Sequence, residues 1–263
     1  MRIKTLKDPG NPQGESITQD NTRKSKLLYE VFFRPLPANE HVEPNFNYDP
    51  PICKFVPITD QQIFRAIAKL SPYKAPRPNG VSNCIYTHCA ELLVPYMGPI
   101  FWATFTLGVY PDTWKHSSTV VLRKPGRLDY SVPKAYRPIA LLDTMAKILS
   151  SCVADDLIYI AEQHNLLPPT HFRGRPGRST TDSLHLLTKF ATDAWASKDH
   201  FVSFLFLDVK AAFPSVVVNL MLHNMCKAGI PLEYHQENIP DLYSCYSCYS
   251  SHFFIVLHIV SSN

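Results

Sequence analysis

The chain has 263 residues, of which 45% are hydrophobic and 18% charged, and its formal net charge is +4. This composition provides enough apolar side chains for a buried core and excludes wholesale disorder. Proline occurs 23 times and glycine 9 times. That bias disfavours a glycine-rich nucleotide-binding fold and favours many loops with fixed backbone angles.

The cysteines and the amino terminus indicate an intracellular protein, nuclear or cytoplasmic. The seven cysteines are an odd number scattered along the chain, and the first residues contain no apolar stretch typical of a secretory signal. We therefore expect a reducing compartment, with the cysteines acting as small buried hydrophobes. The apolar run 253–260 is far shorter than the roughly 20 residues that a membrane span needs, so no membrane partner is expected.

Basic residues concentrate in the middle of the chain. Residues 115–137 contain six basic side chains and one acidic one, and the segment RGRPGR adds Arg173, Arg175 and Arg178. Beyond position 180, seven acidic residues face four basic ones. This order suits a site that holds phosphates on one side and metal ions on the other, although an ordinary solvated surface has the same composition.

The first half of the chain predicts a polar tail followed by helices. Residues 1–25 lack apolar periodicity and indicate a linker or tail, whereas the apolar stretch 27–37 is expected to dock against another element. A helix is predicted to begin after Thr59, whose side chain can form a capping box with Gln62. Apolar spacing predicts another helix over 92–107.

The next part of the chain, up to about residue 200, predicts one strand and two helices. The β-branched residues 118–122 predict a short buried strand. Asp143 can cap a long helix that reaches about His164. Another helix is predicted to begin near residue 180, with an apolar stripe of Leu184, Leu187, Ala191 and Ala194.

The segment FVSFLFL (201–207) is almost continuously apolar, as is typical of a central strand buried on both faces. It ends at Asp208, and a helix is predicted over 214–228, with Pro214 in its first turn and Gly229 as its terminator. An aspartate at the end of a buried strand needs a positive partner. Mg²⁺ is one candidate; capping of the next helix and pairing with an arginine are the alternatives.

Five blocks, in the same order, resemble the reverse transcriptases of non-LTR retrotransposons, and together they cover roughly residues 27–232. The blocks are LLYEVFF (27–33), KAPRPNGVSN (74–83), VVLRKPGRLDYSVPKAYRPIALLDTMAKIL (120–149), HFRGRPGRSTTDSLHLL (171–187) and FLFLDVKAAFPSV (204–216). Each block alone is weakly specific, whereas their joint order is highly specific.

The resemblance implies an α/β fold, the fingers plus an incomplete palm of a right-hand polymerase, helix-rich with few strands. It divides the chain into an N-terminal linker and docking segment at 1–50, a fingers-like region at 51–165 and the start of the palm at 166–235. Residues 236–263, which contain a low-complexity repeat at 243–250, match nothing in the family pattern and form an unrelated tail.

The resemblance also implies roles for individual residues. Asp208 would ligate catalytic Mg²⁺ with the backbone carbonyl of Val209 beside it, and Phe213 would be the steric gate against a ribose 2′-hydroxyl. Lys124 and Arg137 would face the incoming triphosphate, because cations stabilise the charge that develops on phosphate oxygens. The implied partners are an RNA template, a DNA primer and a deoxynucleoside triphosphate.

Several positions depart from the family pattern. Arg77 and Asn79 stand where the opening block usually has glycine and aspartate, Arg173 stands where glycine is usual, and Pro214 replaces a frequent second aspartate. Two-metal transfer needs several carboxylates, and the family supplies them from a later Phe/Tyr-x-Asp-Asp hairpin. No such motif follows Asp208, so the polypeptide is expected to be a catalytically incomplete fragment.

Two other features invite a metal or catalytic reading that we do not favour. Asp155 and Asp156 precede Asp208 within a helical period, so they are expected on a helix surface. A zinc site in the tail is also disfavoured, because the repeat YSCYSCYS explains its cysteines and the spacing matches no common zinc module; its ligands would be Cys245, Cys248, His252 and His258.

Two alternatives to a polymerase lineage remain open. The basic segment 115–137, together with Arg173, Arg175 and Arg178, could bind nucleic acid through phosphates without catalysis. A decayed element product with no function would leave apolar surface such as FVSFLFL partly uncovered.

Overall fold

The computed structural model describes residues 3, 5–8, 10, 17–33, 42, 45–74, 79–196, 202–207 and 216–235. Within these ranges the chain is helix-rich and has two small antiparallel sheets, in agreement with the expected α/β class. The elements are β1 (Leu6–Lys7), β2 (Ile17–Thr18), α1 (Asn21–Phe32), α2 (Asp60–Ala68), α3 (Asn83–His88), α4 (Ala90–Leu107), α5 (Asp112–Lys115), β3 (Ser118–Arg123), β4 (Tyr136–Leu141), α6 (Thr144–Gln163), α7 (Thr180–Ala196) and α8 (Val218–Lys227). Two 3₁₀ turns lie at Pro133–Ala135 and Leu232–His235.

The main core lies where α2 packs against α4 and α6. The capping box predicted for α2 is confirmed, because Thr59 and Gln62 satisfy each other's backbone N–H groups. Asp143 likewise caps α6 by accepting from the Met145 N–H at 2.8 Å. The side chains that fill this core are almost fully buried, among them Ile63, Ile67, Val94, Phe101, Ile148 and Val153. Burial of this kind contributes about 1.5–3 kcal/mol for each large side chain.

The segment before α2 and the turn after α8 close onto this core together. Tyr48 Oη lies 2.8 Å from His223 Nδ1 on α8, and the Ile52 N–H donates to the Gly229 carbonyl at 2.9 Å. The Phe55 ring packs edge-on against Tyr234, with the ring centroids 5.0 Å apart. Gly229 ends α8 with φ of +80°, as its position in the sequence predicted.

The hairpin β3–β4 is antiparallel, with Leu122 opposite Arg137. The predicted strand at 118–122 is therefore confirmed, but its predicted burial is wrong. Val120 and Leu122 are about two-fifths exposed, whereas Val121, on the opposite face, packs on a second cluster formed with α1. A two-stranded hairpin covered on one side leaves its other side in solvent.

The N-terminal residues fold more than their composition predicts. Residues 1–25 were expected to be a linker or tail, yet β1 pairs with β2 and α1 begins at Asn21. Asp8 is buried and accepts from the Arg23 guanidinium at 2.5 and 2.8 Å. The expected docking of the stretch 27–37 is confirmed for Leu27 and Leu28, which pack on Tyr136.

Residues 202–207 do not form the buried central strand that the sequence predicted. These residues belong to neither described sheet, Leu207 alone forms an isolated bridge, and Leu205, Phe206 and Leu207 are each about half exposed. An apolar run becomes a central strand only when neighbouring strands supply backbone partners on both sides. The following helix is confirmed over Val218–Lys227, while Pro214 lies outside the described residues.

Helix α7 begins where predicted but is largely uncovered. Of its predicted apolar stripe, only Ala191 is buried, and Leu184 is 57% exposed. None of the helices in the described ranges combines the length and apolarity needed to cross a membrane.

Candidate functional site

The hairpin β3–β4 carries the two cations that the sequence assigned to a triphosphate. The Lys124 N–H donates to the Ala135 carbonyl at 2.8 Å, so Lys124 extends the ladder just beyond β3. Residues two apart on one strand lie on the same face, and so do residues directly opposite each other on paired strands. Lys124 is two residues from Leu122, and Leu122 is opposite Arg137. By this alternation the half-buried Lys124 and the exposed Arg137 lie on the same face of the hairpin.

The electrostatics of Lys124 show how closely the positive charges gather. Its Nζ donates to the Lys134 carbonyl at 2.9 Å. Partial burial lowers the pKa of Lys124, and the charges of Arg127 and Arg137 lower it further. Neighbouring cations of this kind make this end of the hairpin electropositive.

Arg175 has a structural contact instead of a free surface. Its guanidinium donates to both carboxylate oxygens of Glu162, at 2.5 and 2.7 Å, and to the carbonyls of Pro168 and His171. Only 5% of its side chain is exposed. Arg175 thus ties the loop before α7 to the end of α6, and it is not placed to reach a nucleic acid directly.

The two other arginines of this loop are more accessible. Arg178 donates to the Pro169 carbonyl and lies over the Phe172 ring, 5.6 Å from its centroid. Arg173 is half-buried. The structure does not bring this loop's arginines and the hairpin cations into one described cluster.

Asn79 makes a contact that explains one departure from the family pattern. Its amide donates to Asp143 Oδ2, and its own Oδ1 accepts from the Val81 N–H at 2.9 Å. Asp143 is buried and also caps α6. An aspartate at position 79 would set two carboxylates against each other, whereas the amide joins the opening loop to the start of α6.

The sequence predicted that Asp155 and Asp156 lie on a helix surface, and this prediction describes only Asp155. Asp155 pairs with Lys69 at 2.6 Å and fits that expectation. Asp156 is half-buried, where it accepts from Gln62 Nε2 at 2.5 Å and from the Tyr234 hydroxyl at 3.4 Å. Burial raises the pKa of Asp156 to about 6. Its role is to join α2, α6 and the turn after α8.

The predicted metal site cannot be placed in the fold. Asp208, Val209 and Phe213 lie outside the described residues, as do the four residues of the disfavoured zinc site. Among the residues that the structure does describe, no three His, Cys, Asp or Glu side chains are grouped as a metal site would require. The magnesium prediction therefore rests on the sequence alone.

Sequence reasoning missed the residues that support the site. Tyr130, whose hydroxyl donates to the Lys124 carbonyl at 2.8 Å, and Glu162, the partner of Arg175, carry no motif of their own. The turn signals in 124–135 predict a hairpin loop. They do not predict which side chains close it.

Several known proteins are similar to this chain in sequence. No protein-family model matches the chain. It is 31% identical over 160 residues to the probable RNA-directed DNA polymerase from transposon BS of Drosophila melanogaster, a match that covers 61% of the chain and 17% of that protein. It is 30% identical over 168 residues to the probable RNA-directed DNA polymerase from transposon X-element, covering 64% of the chain and 18% of that protein.

A third relative, the RNA-directed DNA polymerase from mobile element jockey of the same fly, is 27% identical over 179 residues, covering 68% of the chain and 19% of that protein. The matched part of the chain is thus similar in sequence to the RNA-directed DNA polymerases of non-LTR retrotransposons. The chain spans less than a fifth of the length of these curated relatives.

We expect Asn79→Asp to destabilise the chain at neutral pH by about 1–2 kcal/mol, since it replaces a donor with a second carboxylate beside Asp143. The loss should shrink as the pH falls toward 4, where one carboxyl group takes up a proton and donates in place of the amide. Urea unfolding at several pH values measures both effects. Asn79→Ala is the comparison, because it removes the donor without adding a charge and should lose less stability at pH 7 than Asn79→Asp; equal stability of Asn79→Asp and the parent at pH 7 would contradict the assignment.

Asp156→Asn should stabilise the chain at pH 7, because it removes a desolvated charge while keeping an oxygen that accepts from Gln62. The folded pKa of Asp156, about 6, lies above its ordinary value, so the folded state binds the proton more tightly. The stability that this proton confers is complete at low pH and is lost as the pH rises through about 6.

After allowance for partial exposure, the expected gain for Asp156→Asn at pH 7 is about 1–2 kcal/mol, and it should vanish near pH 4. Thermal or urea unfolding across this range measures it. Asp155→Asn, which changes an exposed pair, should alter stability by less than about 0.5 kcal/mol. A loss of stability in Asp156→Asn at pH 7 would be inconsistent with a destabilising buried charge.

Proposed function

We propose that the chain contributes the fingers and the start of the palm of an RNA-directed DNA polymerase. In this proposal residues 51–165 are the fingers-like region and 166–235 begin the palm. The observation that carries it is the placement of Lys124 beside Arg137 on one face of the hairpin, in a chain that is similar over 160 residues to an RNA-directed DNA polymerase. The exposed side chains of 205–207 are the surface that further palm strands would cover.

Lys124 and Arg137 act on the triphosphate of the incoming nucleotide. Lys124 is held in place through its backbone and is close enough to Arg127 and Arg137 for their charges to lower its pKa. A triphosphate neutralises this cluster. Charge-assisted hydrogen bonds to phosphate oxygens are about twice as strong as neutral ones, so the hairpin orients the nucleotide by its phosphates.

The remaining proposed roles rest on the sequence. Asp208 and the Val209 carbonyl hold Mg²⁺, which would neutralise charge on the transferring phosphate, and Phe213 excludes a ribose 2′-hydroxyl. RNA template and DNA primer are the proposed partners. Arg173 and Arg178 are the candidates for backbone phosphates, while Arg175 supports their loop through Glu162.

The phosphate contact is tested by the affinity of the 263-residue chain for inorganic tripolyphosphate, measured by calorimetry at low salt. We expect Lys124→Ala and Arg137→Ala each to weaken binding about tenfold, since each removes one charge-assisted contact. Lys189→Ala, which removes an exposed lysine on α7, is the matched control and should leave the affinity unchanged. Parent-like affinity in both hairpin variants would refute the proposed contact.

We infer that the 263-residue polypeptide alone does not extend a primer. Two-metal nucleotidyl transfer needs several carboxylates around ions about 3.5–4 Å apart, and no Asp-Asp motif follows Asp208. Incubation with a primed RNA template, deoxynucleoside triphosphates and Mg²⁺ should yield no more product than the Asp208→Asn variant. Metal-dependent extension that Asp208→Asn abolishes would overturn this inference.

A further inference from the structure

The N-terminal residues make an apolar contact with the back of the hairpin β3–β4. Leu6 is fully buried, and Leu27 and Leu28 of α1 are more than nine-tenths buried, against Ala135 and Tyr136 at the start of β4. We use the name N-terminal brace for β1, β2 and α1. The brace covers the face of the hairpin that carries Val121 and Tyr136, opposite the exposed Arg137.

A buried ion pair connects the first strand of the brace to its helix. Asp8 is 1% exposed and accepts from the Arg23 guanidinium and from the Gly10 N–H. The pairing with Arg23 holds the pKa of Asp8 below its ordinary value. A buried, doubly bonded pair of this kind fixes β1 against α1.

A second set of contacts runs from the brace to the hairpin loop. The Lys7 N–H donates to the Ser131 carbonyl at 2.7 Å, and Lys7 Nζ pairs with Asp129 at 2.8 Å. Asp129 also accepts from the N–H and hydroxyl of Ser131. The ion pair is exposed and weak by itself, so the apolar contact supplies most of the attachment.

Two tyrosines continue these contacts to Lys124. The Tyr136 hydroxyl donates to the Tyr130 carbonyl, and the Tyr130 hydroxyl donates to the Lys124 carbonyl, both at 2.8 Å. The Arg123 guanidinium lies over the Tyr130 ring, 5.0 Å from its centroid. Leu6 and Leu28 pack against Tyr136, so the brace is connected to the Lys124 backbone through the side chains of Tyr136 and Tyr130.

We propose that the N-terminal brace, acting through Tyr136 and Tyr130, positions Lys124 for a triphosphate. Tyr130 and Leu28 are thus positioning residues that need not touch the ligand. The proposal rests on the proposed function of the hairpin. It adds a part of the chain, residues 6–32, for which the sequence predicted only a tail and a docking segment.

The test is a double-mutant cycle on the whole chain, with inorganic tripolyphosphate as the probe and calorimetry as the measurement. Tyr130→Phe keeps the ring and removes the bond to the Lys124 carbonyl, and Leu28→Ala loosens the brace. Each is expected to weaken binding about threefold to tenfold. In a Lys124→Ala background neither should weaken it further, because their effect passes through Lys124. Tyr159→Phe, on the exposed face of α6, is the control.

The possible results separate the two proposals. If Lys124→Ala weakens binding while Tyr130→Phe does not, or if the effects of Tyr130→Phe and Lys124→Ala are additive, the brace proposal is overturned and the hairpin contact stands. If neither Lys124→Ala nor Arg137→Ala weakens binding, both proposals fall. Should Leu28→Ala fail to fold, as thermal melting would show, the cycle with Tyr130→Phe decides alone.

Discussion

The packing of α6 against α2 is the constraint on which the rest of the structure depends. Ile148 and Val153 of α6 are fully buried in the core that α2 shares with α4 and α6, and α6 begins only three residues after β4 ends. A rigid helix so close to the hairpin fixes the hairpin's base. Other segments donate hydrogen bonds to three carboxylates of this helix. Asn79 donates to Asp143 at its cap, Gln62 and Tyr234 donate to Asp156 in its middle, and Arg175 donates to Glu162 near its end.

Polar contacts around α6 favour one arrangement of loops more than they add stability. The buried carboxylate of Asp156 costs free energy, since its pKa is raised to about 6, but it defines how the turn after α8 meets α2 and α6. Arg175 does the same for the loop before α7. Buried ionic groups with all hydrogen bonds satisfied specify geometry at little net gain in stability. Of the three arginines in the loop before α7, Arg175 is buried and supports the loop, whereas Arg173 and Arg178 are only half-buried.

Local signals predicted the elements well, and tertiary contacts decided the rest. The capping box at Thr59, the cap at Asp143 and the terminator at Gly229 each depend on residues a few positions apart, so the sequence contained the whole signal. The burial of 118–122 and 202–207 depends on what covers these segments, and composition does not specify that. The brace was missed because Asp8 and Arg23 are 15 residues apart across a turn-rich stretch.

Lys124 and Arg137 lie on a hairpin that packs against the brace and is followed directly by α6. Hydrogen–deuterium exchange with and without tripolyphosphate locates their ligand most directly. We expect slower exchange of backbone amides in 118–141 on binding, with α7 unchanged. Protection confined to α7 or to the helices of the core, with the hairpin unaffected, would contradict binding at the hairpin.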